Sequence, residues 1–358
     1  MKRSLIALAV LATSGVAFAQ STVTLYGLAD VYLGSTKLKT TVNGSSTSLR
    51  QTVIDSGGFN TSRFGLKGSE DLGGGLKANF VLEGGFDIST GAANNYVSPY
   101  NFTGPANART AVVSNAIFGR QSWVGVSGGF GEIKLGKMWT PYDEVKGSGA
   151  GAFDANIFAP ANAIWVSNTY QDRPGNSIYY ATPNFSGFSA AGMYSFGENK
   201  GVNAQGQSLK AGEIGSVNVQ YAGGPVAVAL AYQIERQGNL TGTNPNKVKF
   251  TQLNGSYDFQ VVKLLAAYGN VKNGNAKANE YQIGVDVPLG AVTVSTGIAS
   301  SKVTGVGADI KSTGFGLAAK YELSKRTFLY TGLQLAKAKT TGVEAKTDTF
   351  AAGVQHKF

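Results

Sequence analysis

Apolar and polar residues alternate along both halves of Ser62–Phe86, SRFGLKGSEDLGGGLKANFVLEGGF, and this alternation decides the fold. Phe64 and Leu66 are the apolar members in the first half, and the same period resumes at Leu76. A period of two residues is that of a β-strand. Three glycines, Gly73–Gly75, permit the positive φ angles of a tight turn. The stretch therefore predicts a hairpin with one apolar face and one charged face.

The composition indicates where the apolar face lies. Hydrophobic residues make up 42% of the chain, with 49 Gly, 16 Tyr and 19 Phe, and they are spread in alternation. Buried strands of a soluble core read instead as continuous apolar runs. The apolar face is therefore expected to meet lipid.

The first residues have the pattern of a secretory signal peptide. Lys2 and Arg3 precede the apolar stretch Leu5–Ala12, and Ala17–Ala19 has the small-x-small pattern of a cleavage site. A membrane anchor is the alternative, but this stretch is too short to cross about 30 Å of hydrocarbon as a helix. We predict that residues 1–19 are removed and that 20–358 form one domain.

Beyond the signal, the chain contains no run of about 18 apolar residues, so a membrane protein with this sequence has to be a closed barrel. This excludes the inner membrane and predicts the outer membrane. The chain has no cysteine, so no disulfide holds the fold.

Loss of Lys2 and Arg3 lowers the formal net charge from +10 to +8. Nucleic-acid binding would favour a clustered basic stripe with interleaved aromatic residues. Lysine and arginine are instead scattered singly, so no nucleic-acid partner is expected. An anion-attracting lumen or surface fits the excess charge better.

Sixteen strands are predicted, joined alternately by seven short turns and eight longer loops. An even number of strands lets the first and last pair antiparallel and close a transmembrane barrel. A soluble all-β sandwich is the alternative architecture. The predicted strands are Thr24–Leu33, the pair within Ser62–Phe86, Ile117–Ser127, Glu132–Met138, Ser177–Thr182, Phe188–Phe196, Val217–Tyr221, Val226–Ile234, Val248–Tyr257, Val261–Asn270, Tyr281–Val287, Val292–Lys302, Phe315–Leu323, Phe328–Leu335 and Thr349–Phe358.

The chain ends on an aromatic residue, Phe358, which shares a strand face with Phe350, Val354 and His356. This ending resembles the signal read by barrel-assembly machinery, and we assign Phe358 and His356 to it. His356 is the only histidine, so histidine-based triads and metal sites lack their parts. We therefore expect neither an enzyme nor a cofactor.

Five segments of the chain together carry a family resemblance: SRFGLKGSEDLGGGLKANF, FGRQSWVGVSGGFGEIKLG, NSIYYATPNFSGF, LSKRTFLY and the terminal HKF. They resemble the general-diffusion porins of Gram-negative bacteria, in the form typical of β-proteobacteria. The resemblance covers essentially the whole mature chain. It implies a sixteen-stranded barrel, a homotrimer in the outer-membrane lipid, and passive diffusion of small hydrophilic solutes and ions.

The resemblance also implies that a long third loop, here Trp139–Arg173, folds inward and narrows the pore. Basic side chains of the wall would face acidic groups of this loop. The loop lacks the Pro-Glu-Phe-Gly-Gly sequence of many relatives. The basic positions carried over are Arg63, Arg120 and Lys137, and the acidic ones are Asp143, Glu144 and Asp154.

Alternation tests two of these assignments independently. Phe64 and Leu66 face outward, which directs Arg63 into the lumen. Lys137 has the parity of the apolar Leu135, so it reaches the lumen only if the strand bends or bulges at Gly136.

A weakly anion-selective diffusion pore is the function predicted from these features. The alternative is a porin specialised for one solute, such as an oligosaccharide or an organic anion. It would need a run of aromatic side chains along the lumen, and the tyrosines at positions 26, 32, 179, 180 and 330 are scattered.

Overall fold

The protein forms one antiparallel sheet closed into a barrel. The computed structural model describes residues 22–93, 116–149, 157–196, 212–236 and 247–358. Residues 1–19, the predicted signal peptide, lie outside the described residues. The strands are β1 Thr22–Val42, β2 Ser45–Ser56, β3 Arg63–Gly73, β4 Leu76–Gly85, β5 Gln121–Gly128, β6 Gly131–Lys137, β7 Ser177–Ala181, β8 Phe188–Ser195, β9 Glu213–Gly223, β10 Val226–Arg236, β11 Lys247–Asp258, β12 Lys263–Asn273, β13 Ala276–Leu289, β14 Val292–Thr304, β15 Ile310–Glu322, β16 Thr327–Thr340 and β17 Val343–Lys357.

Pairing of β1 with β17 closes the sheet, from Leu28 opposite Lys357 to Val42 opposite Val343. On its other edge, β1 pairs with β3 through residues 22–28 and with β2 through residues 31–42. Strands β2 and β3 thus form a single interrupted barrel strand. The 17 strands of the sheet make a sixteen-stranded barrel, as predicted.

Asp30 holds the interruption between β2 and β3. Its carboxylate accepts hydrogen bonds from the backbone amides of Phe59 and Asn60, the latter at 2.9 Å, and one from the Tyr330 hydroxyl at 2.5 Å. The Asp30 carbonyl accepts from the Gly57 amide. One inner-face carboxylate therefore fixes the chain where it leaves the ladder.

The prediction of eight longer loops was wrong for three of them. The polar segment after Leu33 was predicted to be a loop but continues β1 and returns as β2, with a turn at Asn43 and Gly44. Strands β12 and β13 likewise meet at residues 274–275, and β16 and β17 meet at residues 341–342. The strand ladders thus extend further toward the loop end of the barrel than the sequence indicated.

The two faces of the sheet differ as the alternation predicts. On β10, Val228, Leu230 and Tyr232 are exposed, whereas Ala229 and Ala231 are buried. Buried polar side chains, such as those of glutamine and asparagine, occur on the same inner face. The outer face is therefore an apolar surface suited to lipid, and the inner face is polar.

Two helices and a 3₁₀ turn form in the connection between β6 and β7. They are α1, Pro141–Gly149, α2, Pro160–Ile164, and the turn Val166–Thr169. Thr140 caps α1, because its hydroxyl accepts a hydrogen bond from the Asp143 amide at 3.2 Å. No helix of the described ranges is long and apolar enough to cross a membrane.

This connection packs against inner-face side chains of strands far along the chain. Asn254 Nδ2 on β11 donates to the Val145 carbonyl of α1 at 2.7 Å. Gln334 Nε2 on β16 donates to the Ala159 carbonyl beside α2, also at 2.7 Å. The connection therefore lies along the inner wall.

Phe358 completes the seam between the first and last strands. Its backbone amide and carbonyl both bond to Gly27, each at 3.1 Å. The Phe358 ring lies over Gly27, where a Cβ atom would overlap the ring and come within 2.8 Å of the Arg63 carbonyl oxygen. His356 is exposed and shares a hydrogen bond with Thr327 at 2.8 Å. A role of both residues in assembly stays a prediction.

Gly27→Ala is expected to weaken the closing seam by about 1 to 3 kcal/mol, because the added methyl group displaces the Phe358 ring and meets backbone. Heat-dependent gel mobility of the folded barrel measures this effect. Gly192→Ala is the matched control, since a Cβ there first meets Val217 Cγ1 at 3.9 Å. Equal thermal stability of the two variants would contradict the seam argument.

Candidate functional site

Glu83 on β4 lies at the centre of a cationic cluster on the inner wall. Its carboxylate accepts hydrogen bonds from Arg120 Nε at 2.7 Å and from the Tyr26 hydroxyl at 3.0 Å. Arg63 Nε lies 3.7 Å from the same carboxylate. The side chains of Glu83 and Arg120 are 5% and 6% exposed, whereas that of Arg63 is 28% exposed. Among these groups, Arg63 has the most access to the lumen.

Trp139 carries two guanidinium groups of this cluster on its ring. Arg120 Cζ lies 5.5 Å and Arg173 Cζ 4.1 Å from the ring centre. A cation over an indole ring is stabilised electrostatically without a counter-ion. Arg173 also pairs with Asp172 at 2.9 Å. The ring thus helps to hold cations close together on the wall.

Lys137 joins the cluster at the end of β6, directly after Gly136. Gly136 has a φ of +133°, which side chains other than glycine rarely adopt. Beyond it, Lys137 Nζ donates to the Arg173 carbonyl at 2.6 Å, while Leu135 stays exposed on the outer face. Gly136 therefore has a backbone conformation favoured by glycine at the position where the sequence predicts a bend, and a place of Lys137 in the constriction stays a prediction.

Two predicted loop carboxylates lie in the first turn of α1. Asp143 accepts a hydrogen bond from the Tyr170 hydroxyl. Glu144 accepts from the Tyr179 hydroxyl at 2.8 Å and from Asn218 Nδ2 at 3.0 Å. Burial raises the pKa of Glu144 above its ordinary value, and these hydrogen bonds offset part of the rise.

Asp154, the third predicted loop carboxylate, lies outside the described residues. Its role in a constriction stays a prediction.

Glu280 on β13 anchors the far part of the connection. Its buried carboxylate accepts from the amides of Val166 at 2.5 Å and Ser167 at 3.0 Å, and from the Ser167 hydroxyl. The Ser301 hydroxyl donates to it as well, at 2.9 Å. This carboxylate bonds to Ser301 on the wall and to the 3₁₀ turn, so it holds the turn close to the wall.

The cluster contains four cations and two carboxylates: Glu83 contacts Arg63 and Arg120, and Asp172 pairs with Arg173. The fourth cation, Lys137, donates to the Arg173 carbonyl. The sequence predicts every cation of the cluster except Arg173 as a site residue, and it does not predict Glu83 or Glu280. The register of the β3–β4 hairpin is the signal that could have identified Glu83 as a site residue. In that register, Arg63 lies opposite Gly85 and Glu83 lies opposite Gly65. That register makes Arg63 and Glu83 diagonal neighbours on one face.

A closed barrel with an apolar outer face, a polar inner wall and a cationic cluster inside defines an outer-membrane channel. A family model of Gram-negative porins matches residues 4–341. The chain belongs to this family, and its location is the outer membrane.

Curated relatives and a solved structure agree with this assignment. Outer membrane porin protein 32 of Delftia acidovorans is 34% identical, over 99% of this chain and 95% of its own. An outer membrane porin protein of Bordetella pertussis is 31% identical over 100% of both chains. The structure of an anion-selective porin from Comamonas acidovorans has a TM-score of 0.67 and 27% identity, covering 95% of this chain and 100% of that one.

Lowering the pH is expected to raise the ratio of anion to cation permeability. Protonation of Glu144 removes one negative charge from the lumen, and because its pKa is raised, the change begins above the pH at which an ordinary glutamate titrates. Reversal potentials in a salt gradient measure the ratio across pH. The Glu144→Gln variant should lack the part of this rise that comes from protonation of Glu144. Identical pH profiles of the variant and the wild type would exclude Glu144 as the cause of the rise.

Proposed function

We propose that the barrel is a general-diffusion pore for small hydrophilic solutes with a weak preference for anions. The observation that carries the proposal is the cationic cluster, which contains four cations and two carboxylates. Charges that line a narrow passage between low-dielectric walls attract counter-ions strongly. The solved porin from Comamonas acidovorans, which is described as anion-selective, supports the same preference.

The narrowest part of the pore is proposed to lie between this cluster and the β6–β7 connection. Arg63, Arg120 and Lys137 form its basic side, now with Arg173. Asp143, Glu144 and Asp154 form its acidic side. Hydrogen bonds to tyrosine hydroxyls and the raised pKa of Glu144 weaken the attraction of the described carboxylates for cations.

Arg63→Ala is expected to lower the anion-to-cation permeability ratio by about two- to five-fold, because a unit charge near the passage acts on each passing ion. Arg120→Ala and Lys137→Ala should have smaller effects, since these side chains are bonded to Glu83 and to the Arg173 carbonyl. The measurement is the reversal potential in a salt gradient.

Lys325→Ala is the matched control for this series, because it removes one exposed positive charge from the short β15–β16 turn. A wild-type preference for cations would refute the proposed selectivity. An unchanged potential for Arg63→Ala would remove Arg63 from the constriction.

Three copies of the barrel are proposed to form a homotrimer. The outer side of β1 carries small residues, the partly exposed Ala29 and the buried Gly27, which suit close contact between barrels. The Phe358 ring covers Gly27 in each subunit and would form part of that contact. The mass of the protein in mild detergent is expected to equal three chains, and a single-chain mass would contradict the trimer.

A further inference from the structure

A row of lysines crosses the outer face of six consecutive strands, β11–β16. All six side chains are exposed near the loop end of their strands. Alternation places them on the lipid-facing side, since Lys249 has the parity of the exposed Leu253 and Lys302 that of the exposed Ile298. This lysine row consists of Lys249, Lys272, Lys277, Lys302, Lys311 and Lys339.

Strand register sets these lysines directly against one another. Lys272 lies opposite both Lys249 and Lys277, and Lys311 lies opposite both Lys302 and Lys339. Like charges that face each other across strands destabilise a sheet.

Acidic partners within the chain are few along this row. Lys302 pairs with Asp309 at 3.1 Å. In the part of the chain that the structure describes, the other five lysines form no ion pair. The sheet thus holds a line of positive charge that an external anion would stabilise.

Away from the lysine row, the residues of the outer face change from charged to polar and then to apolar. On β11–β15, uncharged polar residues come next, two positions along the strand toward the short-turn end: Thr251, Asn270, Asn279, Ser300 and Thr313. The corresponding residue of β16 is Lys337. Apolar and aromatic residues follow: Leu253, Tyr268, Tyr281, Ile298 and Phe315. A lipid has the same order, from its charged headgroup through its polar linkage to its acyl chains.

A groove of about 590 Å³ opens on this outer face across β13–β17. Its floor includes Ile283, Ile298, Phe315 and Leu335, and Lys337 and Lys346 line it as well. The floor is wide and apolar enough to accept an acyl chain.

Two carboxylates also belong to this region. Glu344 bridges Lys337 and Lys346 at 3.0 and 3.2 Å. Asp348 lines the groove and lies opposite Lys37. Glu344 also lies opposite Lys339 of the lysine row. The six lysines of the row, with Lys337 and Lys346, thus face three carboxylates, those of Asp309, Glu344 and Asp348, which leaves positive charge in excess for an external anion.

We propose that this outer surface binds a phosphate-bearing lipid of the outer leaflet. One acyl chain lies in the groove, and the phosphates contact Lys302, Lys311 and Lys339. Charge complementarity and continuity with the lipid-facing apolar surface favour this occupant. A second copy of the chain that approached with the same face would set two lysine rows against each other.

The test measures retention of diphosphoryl lipid A by the native oligomer in a neutral detergent, with native mass spectrometry counting bound lipids. The triple variant Lys302→Gln, Lys311→Gln, Lys339→Gln is expected to bind the lipid at least about ten-fold more weakly. The control Lys325→Gln, Arg326→Gln, Lys357→Gln removes the same charge at the opposite end of the barrel. It should bind within about two-fold of wild type.

A second arm separates the lipid headgroup from free phosphate. Lipid stripped of its phosphates should be lost, and millimolar inorganic phosphate should not displace the intact lipid. Retention of the stripped lipid, or displacement by inorganic phosphate, would overturn the proposal.

A third arm of the test fills the groove with a large side chain. Ser300→Trp should lower the number of bound lipids, whereas Val217→Trp on the outer face of β9 should not. The corresponding triple Lys→Arg variant keeps the charge and should keep the lipid. Equal binding by the glutamine triple variant and its control, or an unchanged lipid count for Ser300→Trp, would refute the site.

Discussion

Closure of the β1–β17 seam is the constraint on which the rest of the structure depends. In lipid, an unpaired backbone amide or carbonyl costs several kcal/mol, so the sheet cannot keep a free edge. Once Gly27 pairs with Phe358, every other strand has a neighbour on both sides. The inside of the barrel then becomes the only place where buried polar side chains and a long connection can satisfy one another.

Inside the barrel, the acidic and basic groups are held by different means. Tyrosine hydroxyls and amide side chains bind the carboxylates of Asp143 and Glu144, and backbone amides and hydroxyls bind Glu280. The arginines at 120 and 173 lie on an indole ring. These two arginines also pair with Glu83 and Asp172, which cancels part of their charge. Arg63, which is more exposed and lies farther from Glu83 than Arg120 does, is therefore more available than Arg120 to passing ions.

The local sequence pattern was sufficient to predict the number of strands and the direction of the Arg63 side chain. Alternation and turn residues involve only a few neighbouring positions, so they can be recognised without the fold. The local pattern failed for β2 and for the ends of β12 and β16, where polar residues take most outward positions and the pattern of apolar residues facing out is lost. Glu280 was missed for a different reason. Its partners Val166 and Ser167 are more than 100 positions away in the chain, and only the closed barrel brings them together.

Gly136 shows that the charge lining a pore depends on backbone conformation as well as on which side chains are present. Gly136 has a positive φ, and the residue after it, Lys137, bonds to the Arg173 carbonyl of the inner connection although it has the parity of the lipid-facing Leu135. An aligned barrel without this glycine could conserve the lysine and still lose its charge from the channel. Two porins with identical counts of basic residues can therefore differ in what their pores attract, and comparisons of selectivity between relatives need the backbone as well as the sequence.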